Sequence, residues 1–429
     1  MPSARILPLQ LPPAAGHFCT LQPSPRTAPA YAVDQCSALT VASECQAAGP
    51  VTGLATCGNG LLYSISQGAS CNLQSWAELG LSPPALPPIP ATLPSTSAMA
   101  VAPASQWVAT AHKDLKIRLW RPSKAGGQLQ QVASLPSLRQ NLHNWTLQHR
   151  YVQTRRHGKK FAWMQHTDTI SALAFSADGS LLYSASWDRT VKVWSLHDMQ
   201  CLESFTAHID SINAMVVGAA DGLLYTGSAD KSIKVWTRRP STSAGGRQFK
   251  HSMVVALQEQ GAAVNALVMS RDGSLLYSGG SDGRIVVWRK SSPCWPHKAA
   301  AASQLLRVQE KLQGHARAVL CLDLLPLNAG SGASYASLLV SGSADRTIRL
   351  WRHDNKNVHE CVAAVKAHSG PVRSVRVGVV EELGEVCGGV AFSGGLDGSI
   401  KMWMLTPATS SSSILSSANV GDADQERES

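Results

Sequence analysis

Four histidines are each followed, 22 to 30 residues later, by an aspartate: His166 and Asp188, His208 and Asp230, His315 and Asp345, His368 and Asp397. A histidine beside a carboxylate is the pair used in general-base chemistry. The carboxylate fixes the tautomer, and the other ring nitrogen handles the proton. A triad also needs a nucleophile. No nucleophile elbow, glycine-rich phosphate loop or metal-spaced cluster accompanies any of the pairs. A structural role fits better. A neutral imidazole donates from one nitrogen and accepts at the other, so it can link two polar groups inside an apolar element.

A second chemistry-bearing stretch runs from Arg121 to Gln165. It holds eight Lys/Arg and no acidic residue, against a net charge of +10 for the chain. Near its end Tyr151, Phe161 and Trp163 interleave with Arg150, Arg155, Arg156, Lys159 and Lys160, and the alternation around His157-Gly158 predicts a short hairpin. Three readings are open. The aromatics could cover a neighbouring element, the cations could meet an acidic or phosphorylated protein surface, or residues 139–163 could bind nucleic acid by stacking plus phosphate contact.

The elements that position these residues come from a repeat. LLYSASWDRTVKVW ends at Trp194, LLYTGSADKSIKVW at Trp236, LLYSGGSDGRIVVW at Trp288, LLVSGSADRTIRLW at Trp351 and AFSGGLDGSIKMW at Trp403. ATAHKDLKIRLW, ending at Trp120, is a weaker copy, and LLYSISQGASCNLQSW, ending at Trp76, is the weakest. Six copies place an aspartate six residues before the tryptophan: Asp114, Asp188, Asp230, Asp282, Asp345 and Asp397. The copies explain seven of the 12 tryptophans, which outnumber tyrosine (7) and phenylalanine (6). Each copy predicts strand, tight turn, strand, and a further alternating run precedes each of the later ones, as in ISALAFS and INAMVVG.

This line resembles the WD40-repeat family over residues of about 36–405. The resemblance implies an all-β fold, a seven-bladed propeller with four antiparallel strands per blade. It also implies a buried hydrogen-bond chain in each blade of His166, Ser184, Asp188 and Trp194; His208, Thr226, Asp230 and Trp236; His315, Ser341, Asp345 and Trp351; and His368, Ser393, Asp397 and Trp403. The unit beginning at Gly261 has no such histidine, and the first two copies are degenerate, which puts their chains in doubt. CSALTVASEC, residues 36–45, is expected to supply the missing outer strand of the last blade. The RYVQ–RR–K–W–H segment and the AHKD unit are similar to plant JINGUBANG-type WD40 proteins. That likeness implies a regulatory adaptor of cytoplasm or nucleus that binds other proteins.

In such folds partners meet the face around the channel. The expected positions just before the turn aspartate are Lys113, Trp187, Ala229, Ser281, Ala344 and Leu396. Those entering the innermost strands are Ser171, Asn213, Asn265, Leu320 and Arg373. Trp187 is the candidate anchor, Arg373 a candidate receiver of an acidic or phosphate group, and Arg155, Arg156, Lys159 and Lys160 the candidate hairpin contacts.

The remainder of the chain sets bounds. Hydrophobic residues are 44% and charged residues 15%, enough apolar material for a core. No run of 18 apolar residues predicts a membrane span. Ten cysteines without a C-x-x-C pair read as reduced thiols. Residues 1–33 read as a disordered Pro/Ala/Ser leader, with a plastid transit peptide as the alternative. Residues 34–405 form the expected propeller, and residues 406–429 a disordered Ser-rich, acidic tail. SPPALPPIPATLP, residues 82–94, reads as a polyproline-like linker. The composite expectation is a monomeric, non-enzymatic scaffold without cofactor or metal.

Overall fold

The chain divides into two units, Met1–Ala32 and Val33–Ser429. The computed structural model describes residues 39–47, 49–57, 61–66, 72–77, 94–102, 106–122, 129–137, 151–153, 160–162, 164–240, 249–290, 306–326, 335–354, 358–382 and 385–405, all in the second unit. The expected leader, tail, proline stretch up to residue 93 and most of the basic insertion lie outside them.

The described residues are all strand and turn. In the blade named here by Trp194, strands Ile170–Phe175, Leu181–Ser186, Thr190–Ser195 and Gln200–Thr206 hydrogen-bond in that order, each antiparallel to the next. Leu181–Ser186 is buried at every position, because neighbouring blades cover both of its faces. The turn into the third strand is built by its own side chains. Ser186 Oγ accepts from the Asp188 N–H at 3.1 Å, Asp188 Oδ1 accepts from the Thr190 N–H at 2.9 Å, and Arg189 takes a φ of 71°.

Blades of the same order end at Trp120, Trp236, Trp288 and Trp351. In the Trp403 blade the outer strand comes from the other end of the propeller sequence. Leu39–Gln46 pairs with Ser399–Leu405, with Val41 opposite Trp403. This closes the last sheet and removes a free edge.

Seven four-stranded blades were expected, and the structure has six. The copy ending at Trp76 makes a three-stranded sheet, Val51–Cys57, Leu61–Ser66 and Asn72–Ala77, with no outer strand among the described residues. The sequence that follows explains the difference. It carries Pro83, Pro84, Pro87, Pro88 and Pro90. Prolines at both odd and even positions leave no register with a continuous row of N–H donors toward Asn72–Ala77. The sheet's innermost strand is nevertheless tied to the Trp403 blade. The Leu54 N–H donates to Ser374 Oγ at 3.0 Å, and Arg376 Nε donates to the Leu54 carbonyl at 2.9 Å.

The cores lie between sheets. Trp236 packs with Tyr183, Val191 and Val193 of the preceding blade, and Trp351 with Tyr277 and Val287. Burying one tryptophan in this way is worth about 4 kcal/mol or more. The small residue of the LLYxG line has its own cause. A Cβ at Gly227 would stand 2.5 Å from Val264 Cγ1, and one at Gly279 2.7 Å from Val319 Cγ1. The next innermost strand passes that closely.

Candidate partner-binding face

Every innermost strand begins with an irregularity. The pairing register slips between Ile170 and Ala172, Ile212 and Ala214, Val264 and Ala266, Val319 and Cys321, and Val372 and Ser374. The residue left over at each bulge is Ser171, Asn213, Asn265, Leu320 or Arg373, the five positions expected from sequence. Thr52 and Ser97 occupy the same bulge in the two degenerate copies. A bulge turns its side chain away from the regular pleat. Here all seven residues line one channel of about 200 Å³.

These side chains also join neighbouring sheets. Ser171 Oγ donates to the carbonyl of Ile212, and Asn213 Nδ2 to that of Val264 at 3.1 Å. Arg376, also on the lining, is committed to the Leu54 carbonyl and stands 3.7 Å from Asp323 Oδ2. Arg373 is exposed and has no ion pair among the described residues.

The turns beside the channel show a division of charge. His166 Nδ1 lies 2.9 Å from Asp188 Oδ2, His166 Nε2 lies 2.8 Å from Ser184 Oγ, and Trp194 Nε1 donates to Ser184 Oγ at 2.9 Å. His208, Asp230, Thr226 and Trp236 repeat the arrangement, as do His315, Asp345, Ser341 and Trp351, and His368, Asp397, Ser393 and Trp403. Burial holds all four imidazoles below the usual histidine value. Burial alone would raise the Asp188 carboxyl. The His166 charge and the bonds from His166, Thr190 and Thr167 outweigh it and hold the group well below the carboxylate range. Neutral imidazole and ionised carboxylate are the resting forms, and each imidazole is bonded at both nitrogens. Such a ring has no free position for a substrate proton.

The carboxylates point inward, with Asp188 6% and Asp230 4% exposed. After three of the turn aspartates the next residue points outward. Arg189, Lys231 and Arg346 take φ of 71°, 67° and 70° and are exposed. Lys113 and Arg317 add exposed cations at the same loops. None of these five has an ion pair among the described residues.

The positions expected just before the turn aspartates are equivalent in space. Lys113, Trp187, Ala229, Ser281, Ala344 and Leu396 each donate their N–H to the carbonyl two residues before an innermost bulge residue, Ser95, Thr169, Ser211, Ala263, Ala318 and Pro371. Trp187 is 47% exposed. Sequence reasoning missed its neighbour Ile209, which is 80% exposed. The Arg189 carbonyl accepts from the N–H groups of Ala207 and His208, so the turn bearing Trp187 and the loop bearing Ile209 are joined. The available signal was an isoleucine where the other His loops have Thr167, Ala316 and Ser369.

The basic insertion is described only in part. Tyr151–Gln153 and Lys160–Ala162 pair as a two-stranded hairpin, Lys160 opposite Gln153. Arg155, Arg156 and Lys159 lie outside the described residues, and for Lys160 only the backbone is described.

Two doubtful hydrogen-bond chains are replaced rather than lost. Gln260 stands in for the histidine of the Trp288 blade. Ser278 Oγ donates to Gln260 Oε1, and Trp288 Nε1 donates to Ser278 Oγ at 2.8 Å. In the Trp120 blade the histidine sits on the second strand. Trp120 Nε1 donates to Thr110 Oγ1, which lies 2.9 Å from His112 Nε2. A further network between blades had no sequence signal. His251 Nδ1 meets Glu203 Oε2 at 2.7 Å and His251 Nε2 meets Tyr183 Oη at 3.4 Å; His359, Glu310 and Tyr277 repeat it.

Among the described residues no group of histidine, cysteine, aspartate and glutamate could hold a metal, and no helix is long and apolar enough to cross a membrane. The described cysteines Cys45, Cys201, Cys321 and Cys361 are unbridged.

Comparison with known proteins agrees with the repeat. The family described as "WD domain, G-beta repeat" matches residues 159–195, 199–237, 252–289, 306–352 and 359–404. Target of rapamycin complex subunit wat1 of Schizosaccharomyces pombe is 26% identical over 186 residues, 43% of this chain and 51% of that protein. Striatin of Mus musculus is 30% identical over 195 residues, 45% of this chain and 18% of that protein. The chain thus spans about half or less of these relatives' length. The crystal structure of the WD40 β-propeller domain of Doa1 superposes with a TM-score of 0.58 at 17% identity, covering 86% of this chain and 97% of that one, a likeness of fold.

Proposed function

The chain belongs to the WD40-repeat family, and we propose on that premise that it is a non-enzymatic interaction scaffold whose partners present acidic or phosphorylated surfaces to the channel face. WD40 propellers generally serve as protein-interaction scaffolds, and wat1 is by its name a subunit of a complex. The observation that carries the reading is the division of charge at the turns. The four His-paired aspartates, Asp188, Asp230, Asp345 and Asp397, are largely buried against histidine and backbone, while Arg189, Lys231, Arg346, Lys113 and Arg373 face solvent and outnumber the exposed loop acids Asp210, Glu259 and Asp282. These cations steer an acidic partner, and salt weakens the association. Trp187 beside Ile209 supplies apolar contact at one sector of that face. In sequence the hairpin strand Lys160–Ala162 shortly precedes Met164 and His166, and on this reading its cations extend the same face. The finer role is a plant regulatory adaptor of cytoplasm or nucleus, in keeping with the unbridged thiols.

The test is affinity purification from nuclease-treated extract of the source organism, comparing the wild-type chain with two variants. One carries Arg189→Gln, Lys231→Gln and Arg346→Gln; the other carries Arg155→Gln, Arg156→Gln, Lys159→Gln and Lys160→Gln. Loss of specific protein partners in either variant, with an unchanged melting temperature, is the expected result. Recovery of nucleic acid alone when nuclease is omitted would overturn the scaffold reading in favour of binding through residues 139–163.

A further inference from the structure

We propose that the channel mouth is a socket for one anionic side chain of a partner, with Arg373 as the group that receives it. The proposal rests on the scaffold reading above and makes it specific. Three observations carry it.

The first is size. The channel's volume of about 200 Å³ falls below the roughly 300–1,000 Å³ of small-molecule sites. It suits a single large side chain.

The second is charge. Among the described residues of the lining, Arg373 and Arg376 are the ionised groups and none is a carboxylate. Arg376 is already held by the Leu54 carbonyl and Asp323. Cys321 adds no negative charge, because burial pushes its thiol up to about 12. Arg373 alone is uncompensated.

The third is the order of the bulge residues. Leu320 stands between Asn265 and Arg373 around the channel. Asn265 receives the Asn213 amide at its Oδ1, 3.4 Å away, and its own N–H groups have no partner among the described residues. Two sets of donors thus flank an apolar side chain. A carboxylate or phosphate on a short apolar stem meets all three: the oxygens take the guanidinium and amide, and the stem lies on Leu320. A cationic side chain would meet repulsion from Arg373, and a neutral one would leave the guanidinium unanswered.

The test uses the full chain and a display library of random dodecapeptides, with a second library carrying one fixed phosphoserine. Wild type should enrich peptides with a fixed acidic position. Preference for Asp/Glu or for phosphoserine identifies which anion the socket takes. Arg373→Gln, an exposed substitution expected to leave the melting temperature unchanged, should weaken the selected peptides by roughly tenfold to a hundredfold. Arg189→Gln, on the same face but outside the channel, should retain the fixed acidic position. Enrichment without a fixed acid, or an acid preference that survives Arg373→Gln, overturns the socket while leaving the scaffold reading to its own test. Failure of the wild type to enrich any peptide overturns it as well.

Discussion

Asn213 and Asn265, bulge residues of adjacent innermost strands, meet side chain to side chain at 3.4 Å, and the same Asn213 amide donates to the Val264 carbonyl at 3.1 Å. One blade thus fixes the strand entry of the next. Removing the donor should cost more than removing the acceptor, since 3.4 Å is at the outer range of a hydrogen bond. Asn213→Ala is expected to destabilise the chain by about 1 kcal/mol and Asn265→Ala by less. Equal losses in chemical denaturation would contradict this ordering.

Acid should weaken the fold in two stages. Burial lowers the folded-state values of His166, His208, His315 and His368 below 6.5. The unfolded chain then binds protons that the native chain refuses, so stability is complete above 6.5 and falls as pH drops through it. The aspartates act further down. Asp188, Asp345 and Asp397 are held below their ordinary 3.8, so their contribution is present above 3.8 and lost as pH falls beneath it. Melting curves should show a decline starting near 6.5 and a steeper one under 4. His208→Gln should flatten the upper decline. A melting temperature that stays constant from about pH 7.5 to 5 would refute the neutral-imidazole assignment.

Gln260 leaves its buried Nε2 without a partner among the described residues. A histidine there would place one nitrogen on Ser278, as His208 does on Thr226, and the other toward Asp282, which is one-third exposed. Gln260→His is expected to stabilise the protein by about 1 kcal/mol. A lower melting temperature would show that the loop at Gly261 cannot accept the ring.

The outer strand Leu39–Gln46 covers the edge of Ser399–Leu405. A chain starting at residue 50 should melt several degrees lower and aggregate sooner, because the edge strand then presents free N–H and C=O groups. An unchanged melting temperature would mean that this pairing contributes nothing to closure.

The sequence alone determined a good deal here. Tryptophans with an aspartate six residues earlier mark positions that local chemistry dictates. The aspartate closes its own turn, and the strand alternation follows from burial. Ser171, Asn213, Asn265, Leu320 and Arg373 were named through the resemblance to WD40 repeats, as face positions at a constant offset from each loop; that each sits at a bulge came from the structure. Only the tertiary structure decided what depends on residues far apart in the chain. It showed six four-stranded blades with an incomplete sheet at Trp76, and Gln260 and His112 replacing a missing histidine. It also showed the Tyr183–His251–Glu203 links between blades and the exposure of Ile209 beside Trp187. Those outcomes are set by which strands become neighbours when the ring closes. A repeat records the geometry of one unit, whereas the contacts between units depend on substitutions that the repeat treats as noise.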